Sequence, residues 1–272
     1  MSSSQWAPKN PRWARATVGV SVAALVVYVI AAWVSPWRPG RAGGLTTGIM
    51  AALLFVNAAA YPARRRWQAR PWQTVQQWLQ LHVYGSAVAA LLVLLHMGLR
   101  WPVGQFGWWL FALSLWTTAS GALGVYLQKT LPRRLARGLR VEVIYERVPE
   151  LLQQLLTRAD AEAAGAAEGL ERIYLAEWRP RLQAASPRWA YLADPQRECD
   201  RALTPLRDFA QYASGADQSR LERLEAIVRE KFELDAHLSI QRGLRGWLIL
   251  HVPPACVLMG LLGVHVIAVL LF

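Results

Sequence analysis

All eighteen aspartates and glutamates of this 272-residue chain lie between Glu142 and Asp235, and residues 1–141 and 236–272 contain none. The surface of a soluble domain mixes both signs of charge, so the acid-free portions do not suit a soluble fold. They hold instead five uncharged apolar runs: Thr17–Val34, Leu45–Tyr61, Trp78–Leu99, Gly107–Leu127 and Trp247–Phe272. Each comes near the roughly 20 residues a helix needs to cross about 30 Å of hydrocarbon. The second is the shortest and is closed by Asn57 and Pro62. The first shows no small-residue cleavage site and is followed by further runs, which reads as a span and not as a cleaved signal. The expected fold class is an all-α membrane protein with five transmembrane helices.

Charge then sets topology. The net +12 divides unevenly: the acidic window carries thirteen cations and a net −5, and the other seventeen cations stand without any carboxylate. With the N-terminus inside, fourteen of them fall on the inner face: Lys9, Arg12, Arg15, Arg64, Arg65, Arg66, Arg70, Lys129, Arg133, Arg134, Arg137, Arg140, Arg242 and Arg245. Only Arg38, Arg41 and Arg100 fall outside, so the positive-inside rule selects this orientation. Twelve of the fourteen tryptophans lie outside the acidic window, most of them beside a span end, as in an interfacial belt. The expected organisation is a cytoplasmic tail over 1–16, four spans over 17–128, a helical cytoplasmic insert over 129–243 and a fifth span over 244–272 that ends outside. The expected location is a bacterial inner membrane. Basic charge distributed in this way implies a membrane, not a nucleic acid, as partner.

Four of the five histidines lie inside spans: His82 and His96 in the third, His251 and His265 in the fifth. Both pairs are fourteen residues apart, which returns to within about 40° of the same face and advances about 21 Å along a helix. The third and fifth spans run in the same direction, so His82 comes level with His251 and His96 with His265. A lone histidine on an apolar helix is commonly a satisfied core residue. Ionisable residues within a membrane are costly and usually functional, and two pairs with one spacing in parallel spans point to two bis-imidazole sites.

The number of ligands narrows what such a site holds. Zinc takes three or four protein ligands, and the spans offer only Cys256 besides the histidines. A proton path would carry Asp or Glu. Haem iron needs two axial ligands from the protein, and no C-x-x-C-H is present for covalent attachment, so the expected cofactors are two haems b. With both axial positions filled, iron is suited to electron transfer. Gly85, Ser86 and Ala89 follow His82, and Ala255, Gly260 and Gly263 lie in the fifth span; small residues allow close approach, as do Gly121 and Gly124 in the fourth. Arg100 outside, with Arg66, Arg242 and Arg245 inside, are the candidate partners for propionates. Pro253 and Pro254 should kink or delay the helix after His251. The segments Trp78–Val83 and Trp247–Val252 differ at one position of six, which supports two parallel helices at equal depth.

Histidine pairs of this kind on two helices resemble the di-haem transmembrane cytochromes b. That group includes the cytochrome b of quinol–cytochrome c oxidoreductases and the membrane domain of ferric reductases and NADPH oxidases. The second is nearer, since there too the third and fifth spans carry the ligands and the N-terminus is cytoplasmic. The resemblance covers roughly residues 15–128 and 242–272. It implies axial roles for His82, His96, His251 and His265 in a di-haem four-helix-type bundle. The chain departs from that pattern in having no sixth span, no flavin and nicotinamide domain after the fifth, and a long insert before it, so reduction of iron or oxygen does not carry over.

The insert reads as helical. Val148, Leu151, Leu152, Leu155 and Leu156 recur at helical spacing, as do Leu221, Leu224, Ile227, Val228 and Phe232. Segments near 161–183 and 199–212 make further helices, with Pro180, Pro187, Pro195 and Pro205 as breaks. Gly40–Gly48 follows no strand and reads as a loop. His237 stands alone, and Cys199 and Cys256 fall in different compartments, so no disulfide is expected. The insert shows no nucleophile–base pair, metal cluster or Gly-rich phosphate loop and is read as a docking or assembly module. The expected function is electron transfer across the membrane, with a redox protein such as a c-type cytochrome or an iron–sulfur subunit as partner. The alternatives are a quinol-oxidising or quinone-reducing subunit with a bound quinone, and a haem-free scaffold or transporter.

Overall fold

Helix is the only regular structure among the described residues. The computed structural model describes residues 11–62, 74–136, 147–186, 189–193, 195–211 and 215–271. The order is α1 (Pro11–Val34), α2 (Ala42–Ala59), α3 (Val75–His96), α4 (Gly104–Ala136), α5 (Val148–Ala163), α6 (Glu168–Ile173), a π-helical turn (Tyr174–Trp178), α7 (Arg179–Gln183), α8 (Ala190–Ala193), α9 (Pro195–Ala210) and α10 (Ala216–Leu271). Five of these, α1 to α4 and α10, are long and apolar enough to cross a membrane, which is compatible with an integral membrane protein.

The chain forms two compact units, residues 1–125 with 247–272, and residues 126–246. In the first, α3 is the central element. It starts at a capping box, in which the Thr74 hydroxyl accepts from the Gln77 amide and the Gln77 side chain accepts from the Thr74 amide. It stops at Gly98, whose φ of 67° turns the chain left-handed while the Leu99 amide donates back to the Leu94 carbonyl at 3.0 Å. Ala51, Val88, Leu92 and Leu95 form one core, against which Ala24 and Tyr28 of α1 pack. Phe55, Ala89 and Leu258 form another, with Leu110 and Leu113 of α4 and Met259 and Leu262 of α10 around it. The apolar surface left over is large: Ile30, Leu53, Ile249 and Leu270 are all exposed, as lipid-facing positions would be.

Two expectations about breaks need correction. Residues 42–48 are the first turns of α2 and not a loop; glycines are tolerated there because a neighbour lies where each Cβ would stand. Of the kink or delay expected at Pro253 and Pro254, the delay does not occur, since α10 continues through both to Leu271. Pro254 has no N–H to offer the Leu250 carbonyl four residues back. The indole Nε1 of Trp116 donates to that carbonyl instead, at 2.9 Å, which is how a proline is accommodated inside an apolar helix. Trp116→Phe should leave the carbonyl unpaired and cost roughly 1–3 kcal/mol. A lowered thermal midpoint of the detergent-solubilised protein, without loss of expression, would register it.

The second unit has its own core, in which Leu152, Leu155, Leu170, Tyr174, Trp178, Leu203, Leu206, Leu224 and Val228 are buried together. Pro205, expected as a break, lies inside α9. Pro187 and Arg66 lie outside the described residues. The π-helical turn seats Tyr174 and Trp178 in this core, and Tyr174 donates to Asp160 Oδ1 at 2.6 Å while Arg179 Nε donates to the same oxygen at 2.9 Å. The Arg179 hydrogen bond holds the Asp160 carboxyl below the usual carboxylate range against the opposing effect of burial, and burial pushes the Tyr174 phenol up. A depressed carboxyl stabilises the fold above its unfolded pKa, near 3.8, and that stability is lost as pH falls through the folded value. Asp160→Asn should therefore lower the thermal midpoint at neutral pH and flatten its dependence on pH below about 4. Deeper still is the ion pair of Lys231 Nζ with Asp235 Oδ2 at 2.6 Å, with both side chains no more than 4% exposed. The Ser186 amide also donates to Asp235, at 3.0 Å, and this satisfies a charge that would be costly alone.

Candidate functional site

The structure brings the four span histidines together in two pairs. The rings of His82 and His251 have their centres 6.4 Å apart with planes crossed at 73°. Those of His96 and His265 are 6.3 Å apart and crossed at 78°. α3 supplies the first member of each pair and α10 the second, fourteen residues apart on both helices.

In three of the four rings the Nδ1 atom is engaged. His82 Nδ1 lies 2.9 Å from the Ala58 carbonyl oxygen, in the last turn of α2. His96 Nδ1 lies 2.8 Å from the Gly44 carbonyl oxygen, in its first turn. A carbonyl only accepts, so each Nδ1 carries the proton and donates it. His251 Nδ1 lies 2.9 Å from Ser120 Oγ in α4. That hydroxyl also lies 3.2 Å from the Thr117 carbonyl in its own helix, and can direct its single proton there while accepting from the ring. For His82 and His96, Nε2 retains the lone pair. His265 lies beside Phe106, with ring centres 6.3 Å apart.

The rings sit where helices approach closely. A Cβ at Gly48 would stand 2.7 Å from His96 Nδ1, so the bare α-carbon is what lets that ring reach α2. At Gly121 it would meet the His251 ring at 3.5 Å, and at Gly124 it would meet the Trp247 indole at 2.0 Å. Trp247 stacks on His251, 5.4 Å between centres and 19° between planes, and its Nε1 donates to the Ser120 carbonyl at 2.7 Å. Tyr61 lies against His82 at 5.4 Å. At Gly85, by contrast, a Cβ would find Leu54 and Leu81 at ordinary contact, 3.6 and 3.7 Å away. Arg100 is exposed, four residues beyond His96. Arg242 and Arg245 belong to the second unit.

The ring separations allow a test of fit. Two metal–nitrogen bonds of about 2.0–2.1 Å, with about 1.1 Å from each nitrogen to its ring centre, set the centres about 6.3 Å apart. A direct nitrogen–nitrogen hydrogen bond of about 3 Å would set them about 5.2 Å apart. Both pairs match the first distance, and with the Nδ1 bonds they fit two axial imidazoles on one haem iron. Among the described residues no group of three or more His, Cys, Asp or Glu converges as a bare metal ion would require. The residues that composition did not disclose are Ser120, Gly48, Ala58 and Gly44. They carry no charge or motif, and only the partner helix gives them a role. No family model, curated protein or solved structure matches this chain.

Proposed function

We propose that the chain is a di-haem membrane cytochrome that carries electrons across the membrane. His82 and His251 would hold one b-type haem, and His96 and His265 the other. The single observation that supports this best is the repetition of the 6.3–6.4 Å separation in two pairs one helix stretch apart. When bound, each haem would supply a one-electron couple, held by the two imidazoles of its pair. The chain's own residues do the rest. Ala58, Gly44 and Ser120 fix the tautomer and aim of three imidazoles, as outer partners of metal-bound histidines do. The apolar cores around Leu92 and Leu258 keep water from the space between the levels. The Lys/Arg distribution orients the N-terminus and residues 126–246 to the cytoplasm of a bacterial inner membrane. The His82/His251 pair then serves the inner side and the His96/His265 pair the outer, where a soluble redox protein would exchange electrons.

The test is spectroscopic. Full-length protein made with ample haem should show low-spin b-type bands in the reduced-minus-oxidised spectrum, at about two haems per chain. A folded but colourless protein would overturn the proposal. Crossed ring planes add a sharper expectation. Two imidazoles held at the ring angles of 73° and 78° would perturb the d orbitals of a shared iron in opposing directions and leave them nearly degenerate. The ferric resonances should therefore be strongly anisotropic, with a largest g value well above that of parallel imidazoles. Electron paramagnetic resonance of the oxidised protein reads this directly.

A further inference from the structure

Ser120 touches α10 twice. Its hydroxyl oxygen lies 2.9 Å from His251 Nδ1, and its carbonyl accepts the Trp247 indole at 2.7 Å, while that indole stacks on the same His251 ring. Ser114 and Thr117 precede it at three-residue steps on α4 and are equally buried. Their hydroxyls turn back into their own helix, Ser114 to the Leu110 carbonyl at 2.7 Å and Thr117 to the Leu113 carbonyl at 2.8 Å. Ser120 is the member of this row whose oxygen faces another helix. It also differs in kind from the acceptors of His82 and His96, which are backbone carbonyls and indifferent to side-chain substitution.

We infer that Ser120 is a positioning residue for His251. It selects the tautomer with the proton on Nδ1, holds the ring in its stack with Trp247, and keeps the ligand nitrogen basic by accepting its hydrogen bond. A more basic imidazole favours the oxidised iron, so Ser120 lowers the reduction potential of the haem at His82/His251 and leaves the other haem untouched. The inference rests on the di-haem reading.

The experiment is a redox titration of the full-length chain, following each haem by its spectrum. In Ser120→Ala the His82/His251 haem should be about threefold more reduced at the wild-type midpoint, which the one-electron factor of 59 mV per decade converts to an upward shift of about 28 mV. The second haem should titrate as before. Ser120→Cys, nearly the same size but a weak acceptor, should shift the same component in the same direction, which keeps the test open where alanine fails to retain the haem. Ser120→Thr, which restores a hydroxyl, should return it to the wild-type curve. Two haems titrating as in wild type in both the alanine and cysteine variants would overturn the role of Ser120 while leaving the di-haem reading intact. Equal movement of both haems would also overturn it. Failure of the wild-type chain to bind any haem would instead overturn the reading beneath it.

Discussion

His82→Ala should bring the haem content from about two per chain to about one, with only the haem shared with His251 lost. On the di-haem proposal each haem would have two protein ligands, and among the described residues no third His, Cys, Asp or Glu joins either pair to replace one. The next histidine on α3, His96, is about 21 Å further along the helix and is occupied with Gly44 and His265. Loss of one imidazole leaves His251 still held by Ser120 but without a partner at 6.4 Å. His265→Ala should remove the other haem, and the double substitution both. The two single variants should differ in which spectral component survives, read by the α-band of the difference spectrum and by the g values of the remaining ferric signal. Loss of the same component in both would mean that His82 pairs with His265 and not with His251, and the proposed level-by-level arrangement would fail.

Residue chemistry made the four histidines visible at once, because an ionisable group in an acid-free apolar run has few cheap explanations. Their spacing was visible too, since fourteen residues map to one helix face whatever surrounds it. The partners of those histidines were not. Ala58 and Gly44 act through backbone carbonyls, which every residue possesses, so no side-chain pattern marks them. Ser120 is one of several hydroxyls on α4, and only the position of α10 distinguishes it from Ser114 and Thr117. The prolines of α10 are a related case. The rule that Pro254 removes a donor is correct, but the consequence depends on whether another donor reaches Leu250, and Trp116 does so from a different helix. Lys231 and Asp235 show the same limit in the second unit. Their i and i+4 spacing carries no mark of burial, and only the surrounding core makes them a buried pair.

Glycine supplies the other large expected effect, because small residues in an apolar helix have two readings that the sequence alone does not separate. Gly48, Gly85 and Gly124 all sit in helices of the first unit. The neighbours of the missing Cβ differ: 2.7 Å to His96 at Gly48, 2.0 Å to Trp247 at Gly124, and no closer than 3.6 Å at Gly85. Neither His96 nor Trp247 is free to swing aside, since His96 is bonded to Gly44 and Trp247 to Ser120 and stacked on His251. Gly48→Ala should therefore displace the His96 ring and remove or weaken the haem at His96/His265, although it changes no ligand. Gly124→Ala should do the same at His82/His251, by driving Trp247 off His251 and out of its bond to Ser120. Overpacking of this kind costs roughly 1–3 kcal/mol, and each variant should combine a lowered thermal midpoint with loss of one spectral component. Gly85→Ala should leave both haems in place. If all three variants behave alike, the glycines serve general helix packing and the close approaches at Gly48 and Gly124 have no bearing on the paired histidines.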